Sequence, residues 1–145
     1  MGNASLIANV AATWMMVGVI WFVQLVHYPL LSLVKVSDAP HVALEHQRRT
    51  AFVVMMPMTV EGVSTLVLLG ATPEAVWWWL PWTGGVLLAV ALGCTVLLSV
   101  PLHKQMAESP KPTTGERLVR TNWPRTIAWS LRGLLCVLML AQLLA

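Results

Sequence analysis

Residues 6–34 read LIANVAATWMMVGVIWFVQLVHYPLLSLV, a run without a single Asp, Glu, Lys or Arg. A helix needs about 20 apolar residues to cross the hydrocarbon core of a bilayer, and this run exceeds that. It is too long for the apolar core of a cleaved signal peptide, and no basic stretch precedes it. The reading is therefore a membrane-spanning helix. Its polar interruptions, Gln24 and His27, stand out because a polar group in apolar surroundings needs a partner or a job.

The rest of the chain has the same character. Of its 145 residues, 57% are hydrophobic and 10% charged, and the mean hydropathy is +0.72. Soluble domains carry about 25% charged residues. Three further apolar segments, about 50–69, 80–102 and 124–145, each reach spanning length. The expected fold is an all-α integral membrane four-helix bundle forming a single domain over 1–145. The net charge of +3 is too small and too scattered for nucleic acid, so the partner it implies is the lipid bilayer. Cys94 and Cys136 lie in apolar segments with no metal spacing and read as small buried filler.

The connections carry the helix punctuation. "SDAP" at 37–40 separates the first two spans. In "GATPE", Thr72 is the expected N-cap of the next helix and Pro73 its first residue. "WWWLPW" at 77–82 suits the membrane–water interface, with Pro81 dividing an interfacial turn from the span. "AESPKPTTGERLVRTN" reads as a loop with a short amphipathic piece, then Asn122 as N-cap and Pro124 just inside helix four. Lys35, Arg48, Arg49, Lys104, Lys111, Arg117, Arg120 and Arg125 all fall toward one side, eight of the nine basic residues. The positive-inside rule places that side in the cytoplasm and both termini outside. A spacing of 76 relates His27 to His103 and Arg49 to Arg125, the pattern of a parallel two-hairpin repeat.

Glu61 falls near mid-bilayer and Arg132 lies inside the fourth span. Charges there cost about 2.5–3.5 kcal/mol each, so both are expected to face inward. They read either as a structural ion pair or as catalytic groups, Glu61 moving protons and Arg125 and Arg132 stabilising negative charge. His27, His46 and His103 gather at the basic end and suit a transition metal such as iron or copper; His27 and His103 alone suit a haem. The same histidines also fit plain capping, pairing or snorkelling roles. Gln24, Asn122, Trp129 and Arg49 complete the site as substrate-binding candidates. Met15, Met16, Met55, Met56 and Met58 read as flexible packing rather than copper ligands. Pro29 and Pro57 are expected to kink helices one and two.

"QLVHYPLL", "EHQRR" followed by "PMTVEG", "VPLHKQM" and "LVRTNWPRTIAWSLRG" resemble a group of small four-helix bacterial membrane proteins near the anthrone-oxygenase-like family. The resemblance covers most of the chain and is most specific over Thr121 to Gly133. It implies a four-helix bundle and allows oxygenation of a lipophilic aromatic substrate. The positions characteristic of the group are His27, His46, Arg49, Glu61, His103, Asn122, Arg125, Trp129 and Arg132. The expected function is then an oxidoreductase or oxygenase acting on a lipophilic small molecule in a polar cavity facing the cytoplasm. The alternatives are an accessory subunit of a larger membrane complex, a homo-oligomer among them, and a small lipid or quinone carrier.

Overall fold

The computed structural model describes residues 2–145. Four helices are long and apolar enough to cross a membrane: α1 Gly2–Ser32, α2 Ala39–Gly70, α3 Trp79–Glu108 and α4 Thr114–Leu144. No strand occurs among the described residues. Helices of 30 to 32 residues are about 45 Å long at ~1.5 Å per residue, which exceeds the ~30 Å hydrocarbon core. Their ends therefore extend past it. Each helix packs on its chain neighbours, and α4 closes the ring against α1, while α1 and α3, like α2 and α4, face each other diagonally and meet through side chains alone. Short connections force antiparallel neighbours.

The bundle is apolar outside as well as inside. Phe52, Leu66 and Leu97 are among many exposed large hydrophobics, and Trp77, Trp78, Trp79 and Trp82 are exposed around the turn between α2 and α3. Inside, three apolar clusters stack along the bundle. One near the tryptophan turn contains Leu6, Leu68 and Leu80; a middle one contains Met16, Ile20 and Trp129; one at the basic end contains Tyr28, Leu31, Leu102 and Leu118. Gly115 lets α4 lie against the end of α1, since a Cβ there would sit 2.5 Å from the Ser32 Cα.

Helices α1 and α3 each contain a π-turn, Val23–His27 and Thr95–Ser99. Both turns have the same cause. Pro29 and Pro101 each stand two residues beyond the turn, and each lacks an N–H. Their rings would clash with the carbonyls of Leu25 and Leu97 in a regular helix. The ladder widens instead, with Tyr28 N–H donating to Val23 O and Val100 N–H to Thr95 O. The expected kink at Pro29 thus takes the form of a π-turn, whereas Pro57 lies inside an uninterrupted α-helix. The matched turns make Ser99, not His103, the counterpart of His27, so the backbone does not follow the 76-residue spacing.

Several expected boundaries are corrected. Helix α4 begins at Thr114 and takes in "ERLVRTN", so Asn122 is an interior residue and Pro124 lies within the helix. Likewise α2 begins at Ala39, where Pro40 fits the free first turn. Thr72 does not cap the next helix; its hydroxyl donates back to Leu68 O, and residues 71–78 form a turn. Pro81 does not divide α3, because it falls in the first turn where its missing N–H costs no helical bond.

Candidate functional site

Two polar clusters are buried between the helices. The first is built around Glu61 and Arg132, which are 0% and 2% exposed. Arg132 Nε donates to Glu61 Oε1 at 2.7 Å, and Thr13 Oγ1 donates to the same oxygen at 2.9 Å. Trp129 Nε1 donates to Oε2 at 3.1 Å. Arg132 also donates to Gly84 O, Thr65 Oγ1 and Asn9 Oδ1, while the Asn9 amide donates to Ser64 and Thr65 hydroxyls. All four helices contribute. Gly84 is where α3 comes close: a Cβ there would meet Arg132 Nη1 at 3.0 Å. Neither charge lines the main cavity, and every buried polar side-chain atom of the pair has a partner.

The second cluster lies about two turns nearer the basic loops. A cavity of about 360 Å³ opens between α2 and α3. Those helices touch on either side of the Thr95–Ser99 π-turn but not at the turn itself, and the cavity fills that gap. Met16, Ile20, Val54 and Met58 supply apolar wall, and Tyr28, His46, Thr50, Ser99, His103 and Arg125 supply polar wall. The expected polar cavity therefore opens sideways. Its loop end is closed by the apolar cluster of Tyr28, Leu31, Ala43 and Leu102.

Three imidazoles run across this end of the bundle. His27 Nε2 is 2.6 Å from His46 Nδ1, and the Thr50 hydroxyl is 3.1 Å from the same nitrogen. The His46 ring lies 4.4 Å from that of His27, 24° from parallel, and 4.6 Å from that of His103, tilted by 33°. His103 Nε2 meets the Tyr28 hydroxyl at 3.0 Å, and its Nδ1 is buried without a partner. His27 lies on the other side, in a shallower groove of about 340 Å³ shared with Arg49.

His27 Nε2 and His46 Nδ1 are engaged with each other, and His103 Nε2 with the Tyr28 hydroxyl, so these nitrogens do not converge on one free point. Among the described residues no group of three or more His, Cys, Asp or Glu is placed to hold a metal ion. The space a haem would need between His27 and His103 is filled by His46. As placed, these residues do not fit either group.

The remaining candidates divide between the clusters. Gln24 is 2% exposed; its Oε1 accepts from Asn122 Nδ2 at 3.0 Å and from Thr126 Oγ1 at 3.2 Å. Asn122 Oδ1 in turn accepts from Arg125 Nη1 at 3.0 Å, and Ser99 Oγ accepts from Nη1 at 2.9 Å. Gln24 and Asn122 thus hold Arg125 at the cavity wall rather than line it. Trp129 is fully buried with Arg125 over its ring at 5.5 Å, so it supports both clusters. Arg49 points outward and pairs with Glu45 at 2.7 Å. Cys136 is buried as expected, but Cys94 is only partly so.

Sequence reasoning missed Asn9, Thr13, Ser64 and Thr65 around Glu61, and Ser99 and Thr50 at the cavity. Small hydroxyl residues are common in membrane helices, and nothing local distinguishes these or the Asn9 amide. A signal was present for Ser99, since Pro101 two residues on marks the π-turn.

Comparison with known protein families, curated proteins and solved structures returns no match. The resemblance to the anthrone-oxygenase-like group therefore rests on the sequence motifs alone.

Proposed function

We propose that this is a small integral membrane protein that takes a lipophilic small molecule sideways from the bilayer into the cavity between α2 and α3. The observation that carries the reading is the cavity itself, lined by both apolar and polar side chains, within a bundle of four helices long and apolar enough to cross a membrane. Its volume of about 360 Å³ falls in the ~300–1,000 Å³ range of small-molecule sites. Both termini lie outside a bacterial inner membrane and the basic loops in the cytoplasm, which sets the cavity nearer the cytoplasmic leaflet. Glu61 and Arg132 have a structural role in this reading, and His46, His103, Tyr28 and Arg125 meet the ligand.

A second reading keeps the site and adds chemistry, an oxidoreductase or oxygenase acting on the bound molecule. It is favoured by the 2.6 Å His27–His46 contact, a ready route for a proton to the cavity wall.

Organic extraction of protein purified in mild detergent tests the first reading. A lipophile in stoichiometric amount is expected, and its loss in Ser99→Phe, which fills the cavity, locates it there. Protein that carries and takes up no lipophile would sink the proposal. Turnover of that lipophile, abolished by His46→Ala, would move the conclusion to the second reading. Orientation is checked with Thr72→Cys in intact cells, where an impermeant maleimide should label the turn; protection would reverse the topology.

A further inference from the structure

Resting on the reading of the cavity as a binding site, we propose that its ligand carries one negatively charged head, a carboxylate or phosphate, for which Arg125 is the counter-ion. A guanidinium stays charged in proteins, so Arg125 brings a full positive charge to the cavity wall inside the bundle. The other arginine of α4, Arg132, has its carboxylate from Glu61 at 2.7 Å. Arg125 has none among the described residues. Its protein hydrogen bonds, to Ser99 Oγ and Asn122 Oδ1, are both neutral and both made by Nη1. Nε is buried without a partner. That leaves Nη2, which makes no hydrogen bond within the protein, as the nitrogen able to donate to an oxygen of an acid group.

The surroundings point the same way. No Asp or Glu lines the cavity, and its other polar groups are imidazoles, hydroxyls and the Gln47 amide, all able to donate to an anion. A neutral quinone or phenol would accept hydrogen bonds here but leave the charge of Arg125 uncompensated. The apolar walls and lateral opening suit a single apolar tail entering from the lipid.

The full chain in nanodiscs of neutral phosphatidylcholine tests this with three radiolabelled probes: dodecanoate, its methyl ester and dodecanol, at a pH where the acid is ionised. Dodecanoate should bind about tenfold tighter than either neutral probe. Arg125→Gln should remove that preference while still binding the ester, which also shows that the variant is folded. Equal binding of acid and ester by the unmodified chain overturns the charge assignment and leaves the binding site standing. Binding of none of the three overturns both. Phosphatidylglycerol added to the disc separates the sources, with either result supporting the anionic head: displacement of dodecanoate assigns it to a bilayer phosphodiester, and no displacement to a free carboxylate.

Discussion

Arg132 and Arg125 stand on the same helix about two turns apart, yet they sit in opposite situations. Arg132 is closed in a network where a carboxylate, a carbonyl and two side-chain oxygens accept its hydrogen bonds. Arg125 borders a cavity with a serine and an asparagine as its acceptors. A completed network in a low-dielectric interior fixes the positions of the helices that share it, while an incomplete one is costly unless something else completes it. On the function proposed above, the deeper cluster holds the bundle and the shallower one meets a ligand, and this contrast is the basis of that division.

The largest effect should come from breaking the completed side. Arg132→Met strands the Glu61 carboxylate and is expected to cost about 3–5 kcal/mol, read by reversible unfolding in mixed micelles. Replacing both, Glu61→Leu with Arg132→Met, should recover most of that loss. A single variant as stable as the parent chain would erase the distinction.

Trp129→Phe should cost about 1–3 kcal/mol, because it leaves Glu61 Oε2 without its donor. Trp129 is also the floor under Arg125, so a double-mutant cycle with Arg125→Met should give a coupling distinct from zero. Strict additivity would mean that the two clusters are energetically separate. Asn9→Leu, at the rim of the completed network, should lose about 0.6–2 kcal/mol, the scale of interhelical hydrogen bonds in membranes. A neutral result there would confine the lock to the ion pair and its nearest donors.

Arg125→Met is expected to have the smallest effect, within about 1 kcal/mol of the parent in either direction. It removes a charge without a counter-ion together with one interhelical bond to Ser99. A loss as large as that of Arg132→Met would show that Arg125 belongs to the structural lock.

Much of the deeper cluster was legible in the sequence. Two charges in segments of spanning length have few options, and pairing is the cheapest. The acceptors around them were not legible. Asn9 and Thr65 are ordinary residues until α1 and α2 are set side by side at one rotation. The histidines failed differently. Their spacing suggested His27 and His103 as mates, but a π-turn inserts one residue into a turn and rotates the helix beyond it by about 100°. In the structure His27 meets His46, and His103 meets the Tyr28 hydroxyl and packs beside His46. The helix starts were misjudged because the apolar stretches set the span limits and Asn122 with Pro124 fitted a first turn: α2 and α4 begin earlier, at Ala39 and Thr114, and their helices continue beyond the apolar stretches.

By itself, then, the sequence determined four long apolar helices, since the hydrophobic run needed to cross a membrane is a local property of the chain. It also determined that Glu61 and Arg132 would turn inward. Which arginine found a carboxylate, which histidines met and where a cavity opened were decided by the tertiary structure alone. Those outcomes depend on separations of about 4 Å or less across helices. Helical periodicity sets which residues share a face of one helix, but not the rotation and register of that face against its neighbour.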